Sequence, residues 1–493
     1  MDIFAYIRPI SAGLIGITLS VVASIHVIST KREVRAAIGW MGLIWLVPFG
    51  GAALYAVMGV NRITRRGDRI RRQMHSLHLG STIPPMAFGA HREAPPLPAK
   101  PGSQAAPSIP ISSLAGLERT GREVTGLPLV DGNRIELLID GDEAYPAMLA
   151  AIRAARRSIG LSTYIFDIDE AGAPFVEALA NAVQRGVQVR VLIDAVGGLY
   201  SSPPAPKLLE ARGIPTACFL KSLLPWRAPY LNLRNHRKIL VADGSTGFTG
   251  GINIRARCLA AASDSRIRDL HFRLEGPVVS HLATSFASDW VFTTGEHLEG
   301  NDWFPRLNPR GNLEARGISD GPDEDFEALR WTLLGALASA EHCVRIVTPY
   351  FLPDRTLVAA LNLAALRGVT VDIVVPEHNN LRVVGWAMLG QIRQVLKFGC
   401  RVWLTPAPFD HSKLFIVDHS WTLFGSGNWD PRSLRLNFEF NVEAYDTAFA
   451  ARAEAVVWQK IGRARRLTID EVDGWPMKER IRNGLAWLGS PYL

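Results

Sequence analysis

The sequence predicts an α/β protein: two pseudo-twofold-related lobes, each a sheet packed between helices, preceded by a two-helix transmembrane hairpin. Three observations predict it. The chain opens with two long apolar runs that carry almost no charge. A helix-then-strand pattern in the middle of the chain recurs near its end. One short polar motif occurs twice, once from His236 and once from His411.

The composition sets the frame. The chain has 493 residues, 48% of them hydrophobic, enough for a large core and too many for a wholly disordered chain. Its net charge is +8. Residues 1–72 hold ten Lys/Arg and three acids, which is +7 of that total; residues 73–493 hold 44 bases and 43 acids. A long basic track for nucleic acid is therefore not expected, and no nucleic-acid partner is. Cys218, Cys258, Cys343 and Cys400 lie far apart in the sequence and form no metal-ligand spacing. Free thiols, no metal and no cofactor are the expectation.

The N-terminal hairpin comes first. Between Arg8 and Lys31 the only titratable side chain is His26, and between Arg35 and Arg62 no side chain is charged. About 20 apolar residues span a bilayer core as a helix, and each run is long enough. The link, roughly 30–37, is short, so the spans should be antiparallel. A cleaved signal peptide competes for the first run, but residues 1–9 carry a single base. The link carries three bases and the stretch Arg62 to Arg72 carries six, which places the body in the cytoplasm. Those arginines would also attract anionic membrane lipid, at about 1 kcal/mol each near the surface.

The linker comes next. Residues 81–112 contain eight prolines and read as an extended segment. The expected divisions are 1–75 for the hairpin and basic segment, 76–115 for the linker, 116–315 for the first lobe and 316–493 for the second.

The lobes follow. Ala178-Leu179 with Arg185-Gly186-Val187-Gln188-Val189 matches Ala360-Leu361 with Arg367-Gly368-Val369-Thr370-Val371. Ser162-Thr163-Tyr164 answers Thr348-Pro349-Tyr350. Helices alternating with short Val/Ile-rich strands imply a sheet covered on both faces.

The motif carries the chemistry. His236-Arg237-Lys238 running to Asp243, and His411-Ser412-Lys413 running to Asp418, share the pattern HxKxxxxD. Composition alone predicts about 0.01 such matches in this length. The flanks keep the same offset: Gly250/Gly425, Gly251/Ser426 and Asn253/Asn428. Residues i and i+2 of a strand face one side, so each His and Lys point together. The chain should then return and place Asn253 near His236 and Asn428 near His411. Two imidazoles, two ammoniums and two amides around one pocket suit a phosphodiester. The lysines and amides hold the anion, one neutral His attacks phosphorus, and the other, protonated, serves the leaving alkoxide. An ordinary imidazole titrates near ~6.5, so the two states can coexist. Asp243 and Asp418 complete the motif, with a turn role as the alternative.

These motifs resemble the phospholipase D superfamily, and most closely the bacterial cardiolipin synthases that carry an N-terminal hairpin. The resemblance spans almost the whole chain. It includes Leu233 to Lys238, Arg268-Asp269-Leu270-His271 with Glu275-Gly276-Pro277, Thr348 to Asp354, Gly425 to Ser433 and Leu436-Asn437-Phe438-Glu439. It implies phospholipase D-like lobes and a phosphatidyltransferase of the bacterial inner membrane. One phosphatidylglycerol would give its phosphatidyl group to a histidine and release glycerol; a second would resolve the intermediate to cardiolipin. The resemblance implies His236 as nucleophile and His411 as acid/base, with the opposite assignment open. It also implies that a carboxylate beyond each motif, Asp269 and Glu439, orients its histidine, with Ser426 and His271 in support. Pro408-Phe409-Asp410 and Ser412 depart from the commoner pattern. Leu223-Leu224-Pro225-Trp226 reads either as a lipid-dipping loop or as core. A hydrolase and a tethered nuclease are the rival readings.

Overall fold

The structure is a computed structural model. It describes residues 3–30, 34–59, 114–201, 203–220, 233–261, 266–321 and 327–490. The proline-rich linker, the arginines from Arg62 to Arg72 and the Leu223–Trp226 stretch lie outside these residues. The chain divides into two compact units, Met1–Arg66 and Gly67–Leu493.

In the first unit, the helix Ile3–Thr30 contains an 18-residue window, Gly13–Thr30, apolar enough to cross a membrane. It is the one such helix among the described residues. The second apolar run is not one continuous helix. Its first helix, Val34–Leu46, has 13 residues and reaches only about 20 Å, short of a ~30 Å bilayer core. A residue before proline is pushed out of helical geometry. Val47, at φ −135 and ψ 76, ends the helix ahead of Pro48. The chain then doubles back as Pro48–Leu54 and a π turn, Tyr55–Gly59. Phe49 packs on Gly16, while Tyr55 returns to His26, with Oη 2.8 Å from Nδ1, and to the ring of Trp40. Gly51 allows the return, because a Cβ there would sit 2.3 Å from the Leu43 carbonyl oxygen.

The second unit is the duplicated α/β body. Its first lobe contains β1 (Val130–Ile139), β2 (Ser158–Thr163), β3 (Gln188–Asp194), β4 (Thr216–Phe219), β5 (Arg234–Asn235), β6 (Ile239–Ala242), β7 (Thr246–Gly250), β8 (Ile267–Arg268) and β9 (Leu270–Glu275). The second contains β10 (Leu313–Asp320), β11 (Cys343–Val347), β12 (Thr370–Pro376), β13 (Arg401–Thr405), β14 (Phe409–Asp410), β15 (Leu414–Val417), β16 (Trp421–Gly425), β17 (Asn437–Tyr445) and β18 (Arg465–Leu467). From the lobe junction outward the first lobe runs β1-β9-β7-β6-β2-β3-β4. The second runs β10-β17-β16-β15-β11-β12-β13 and adds β18. The same order in both lobes is the expected duplication. β1 and β10 meet antiparallel at the junction, which fuses the halves into one sheet. Helices cover its faces; Val279–Thr294 is buried along most of its length. β2, β6, β11 and β15 are buried throughout, as strands covered on both faces should be.

Two short strands leave their own lobes. β5 pairs in parallel with the start of β17, Arg234 against Asn437 and Asn235 against Phe438. β14 pairs in parallel with β8, Asp410 against Arg268. Each motif is thus entered from a strand anchored on the opposite lobe.

Candidate active site

The crossover strands decide what each histidine touches. The His236 N–H donates to the Phe438 carbonyl at 2.9 Å, which sets the imidazole beside Glu439. The His411 N–H donates to the Arg268 carbonyl at 2.7 Å, which sets the other imidazole beside Asp269. His236 Nδ1 lies 3.1 Å from both Glu439 oxygens, and His411 Nδ1 lies 2.7 Å from Asp269 Oδ2. The expectation that each carboxylate serves the histidine of its own lobe is corrected: the pairing is crossed. With Nδ1 engaged, Nε2 is the nitrogen left to face a substrate.

The lysines close over the same place. Lys238 Nζ donates to the His236 carbonyl at 2.7 Å, and Lys413 Nζ donates to the His411 carbonyl and lies 2.9 Å from His411 Nδ1. Lys413 acts on His236 and Lys238 acts on His411, so the two pairs share one pocket.

Burial sets the protonation states. It lowers His236, with Lys238 and Lys413 adding to the effect and Glu439 opposing it. It holds His411 at about 4, with Lys413 reinforcing. It brings Lys238 to about 7 and Lys413 to about 8. Burial alone would raise Glu439, but His236, Lys238 and Ser426 outweigh it and hold it at about 2, ionised. The expectation of one charged imidazole near neutrality is therefore not what this pocket favours. Both histidines are neutral there, and an incoming anion is the charge that would raise one of them.

The supporting shell is uneven. Glu439 accepts from Ser426 Oγ, from Ser433 Oγ at 2.9 Å and from Asn437 Nδ2 at 2.9 Å. Asn428 Nδ2 donates to Ser433 Oγ at 3.2 Å, which ties it to that network. Asn253 Oδ1 instead accepts the Ile165 N–H at 3.1 Å and holds the loop that carries Tyr164. Tyr164 meets His236 edge-on at 5.3 Å, and Tyr350 meets His411 edge-on at 6.0 Å. Neither tyrosine, nor Ser433 or Asn437, was among the expected site residues. The signal for the tyrosines was their place at matching ends of β2 and β11. His271 is buried near Lys238, held at about 4 by burial, and neither ring nitrogen has a hydrogen-bond partner among the described residues.

Asp243 and Asp418 stand elsewhere, which corrects their place in the catalytic set. A whole strand, β6 or β15, separates each from its lysine, about 16 Å of extended chain. Asp243 accepts the backbone N–H groups of Arg156, Arg157 and Ser158 at 2.7–3.1 Å. Asp418 accepts those of Glu341, His342 and Cys343 at 2.7–2.8 Å. Each clamps the entry to the neighbouring strand.

The departures around the second motif also have a structural reason. In the first lobe Arg237 pairs with buried Asp289 of the helix Val279–Thr294. In the second lobe the signs are reversed: Asp410 pairs with Lys460 of the helix Thr447–Ile461, and Lys460 also donates to Ser412 Oγ at 3.1 Å. The residue between His and Lys thus serves the sheet–helix joint behind the pocket. Gly250 and Gly425, at φ 154 and 153, let β7 and β16 end close against β9 and β17; a Cβ on Gly425 would lie 2.3 Å from the Phe440 oxygen.

A family model described as cardiolipin synthase, PLD-like domain, matches residues 148–290 and 333–461, and one described as phospholipase D-nuclease N-terminal matches 18–59. The major cardiolipin synthase ClsA of Bacillus subtilis is 33% identical over 366 residues, 74% of this chain and 76% of that one. Cardiolipin synthase A of Pseudomonas entomophila is 30% identical over 476 residues, 96% of each chain. Among solved structures, phosphatidylserine synthase of Haemophilus influenzae superposes with a TM-score of 0.61 at 16% identity, over 76% of this chain and all of that one, a likeness of fold.

Proposed function

The chain belongs to the phospholipase D-like cardiolipin synthase family, and on that premise we propose that it joins two phosphatidylglycerol molecules into cardiolipin and glycerol. The observation that carries the reading is the crossed site: two histidines, each backed by the other lobe's carboxylate, with two lysines between them.

The phosphodiester enters between Lys238 and Lys413 and supplies the counter-charge that keeps both ammoniums protonated. His236 Nε2 attacks phosphorus. The bond to the leaving glycerol oxygen breaks, and protonated His411 gives that oxygen its proton. Glu439 stabilises the cation that forms on His236. In the second half, His411 takes the proton from the free glycerol hydroxyl of the second phosphatidylglycerol. Its oxygen attacks phosphorus, the P–N bond breaks, and His236 returns to its neutral state. A phosphodiester is exchanged for a phosphodiester, so no energy carrier is consumed.

In the same reading the N-terminal unit embeds the chain in the bacterial inner membrane, with the body on the cytoplasmic side. The apolar helix Ile3–Thr30 supports this, as do the six arginines between Arg62 and Arg72. The lobes of β1–β9 and β10–β18 act as the two half-sites of one enzyme, with the division before Leu313 rather than at 316 inside β10.

The test is incubation of the detergent-solubilised protein with phosphatidylglycerol alone. Cardiolipin with an equal amount of glycerol is the expected product. Phosphatidic acid as the dominant product would replace the synthase with a hydrolase.

A further inference from the structure

The helix Met477–Leu488 carries an apolar stripe that the rest of the body leaves uncovered. Asn483 is buried against the protein, and its carbonyl lies against Gly390, where a Cβ would come within 2.5 Å. The Arg482 guanidinium lies 5.0 Å over the Trp386 ring. Four of its apolar residues face outward. Met477, Ile481, Leu485 and Leu488 are 67, 55, 65 and 68% exposed. At 3.6 residues per turn the four fall within an arc of about 80°. Lys478 and Arg480 border that arc on its two sides.

This stripe continues towards the site. Residues 482 and 487 pack near 386 and 390, so the helix runs roughly parallel to its neighbour Arg382–Leu396. That neighbour starts beside the pocket: the Tyr350 hydroxyl donates to Asn380 Oδ1 at 3.0 Å, and the Tyr350 ring meets His411. Leu381 and Val383, 53 and 46% exposed, carry the apolar surface to that rim.

We propose that this face is where the catalytic body docks on an anionic phospholipid bilayer. An apolar stripe flanked by bases, with a tryptophan beside it, is the composition of a helix lying in the membrane interface. Charge selects the occupant. Arg393 is already paired with Asp473. Of the remaining charges on the two helices and the residue after the first, Arg382, Lys397, Lys478, Arg480 and Arg482 stand against Glu479 alone, a net of +4. A second copy would bring the same cations to the contact, whereas an anionic bilayer complements them. Docking there presents the rim at Tyr350 and Asn380 to the lipid surface, so a headgroup reaches the lysines while its acyl chains stay in lipid. That last consequence rests on the proposed function; the docking does not.

The test uses the full chain in nanodiscs. Leu485→Cys is labelled with an environment-sensitive fluorophore in a Cys218→Ser background, since the other three cysteines are buried. Glu210→Cys, exposed on the first lobe, is the control. Lipid-borne doxyl groups should quench the label at 485 at least twofold in phosphatidylglycerol-containing discs and leave the control unchanged. Equal quenching at both positions, or none at 485, overturns the proposal. Shielding at 485 that grows with protein concentration and ignores doxyl lipid assigns the face to a second copy and also overturns it. This readout needs no turnover, so it stands or falls separately from the synthase reading. The double variant Ile481→Asp, Leu485→Asp should lose about tenfold in rate on vesicles and keep its rate in mixed micelles.

Discussion

Replacing Glu439 by glutamine perturbs one charge and little volume. The carboxylate is fully buried and collects hydrogen bonds from His236, Ser426, Ser433 and Asn437. Held at about 2 against an ordinary 4.5, it favours its ionised form by about 3 kcal/mol. Much of that comes from His236 and Lys238, which it faces. If the imidazolium that forms during attack draws the same support, its loss slows kcat by about 10²-fold, at about 1.4 kcal/mol per decade. Glu439 also raises both lysines, so its loss should weaken their charge and lift the KM for phosphatidylglycerol near neutral pH, and kcat is therefore read at saturating substrate. The assay is steady-state cardiolipin formation in mixed micelles, with thermal melting as a check on folding. A folded Glu439→Gln protein within threefold of native kcat would refute the orienting role. The stability sign is also fixed. A carboxyl depressed in the fold contributes stability above its unfolded value and loses it as pH falls towards 2. Native protein should therefore lose stability between about pH 5 and 2 more steeply than the glutamine variant, in urea unfolding at each pH.

Asp243→Asn and Asp418→Asn should each cost about 1–3 kcal/mol of stability, since each strips acceptors from three backbone N–H groups. Their kcat at a temperature where they stay folded should remain within a few-fold of native; a loss comparable to His236→Ala would return these residues to the chemistry. Lys238 and Lys413, at about 7 and 8, are charged below those values and neutral above them. The KM for phosphatidylglycerol should therefore rise between pH 7 and 9, and a flat profile would show that they do not hold the phosphate in their charged state.

The duplicated body and the paired His-Lys motifs were legible because both repeat at one offset, and repetition survives without any knowledge of packing. The crossed carboxylates were not. Asp269 follows the first motif and Glu439 the second, and chain order pairs each with its own histidine. Only the parallel pairing of β5 with β17 and of β14 with β8 reverses this, and such short strands leave almost no pattern. The aspartates of the motif misled for a related reason: spacing ties them to the lysines, while a buried strand carries them away. The second apolar run read as a single span because its composition is right; the break at Val47-Pro48 and the close seat of Gly51 turn it back. The reversed ion pairs, Arg237 with Asp289 and Asp410 with Lys460, join residues on distant elements and had no local signature.

The two-histidine mechanism is tested most directly by trapping its intermediate. Protein incubated with phosphatidylglycerol labelled in the phosphatidyl group, then denatured at alkaline pH to preserve phosphoramidate, should carry the label on the peptide containing His236. His236→Ala should carry none. Label on the His411 peptide would exchange the two roles, and turnover without any protein-bound phosphatidyl group would contradict the mechanism.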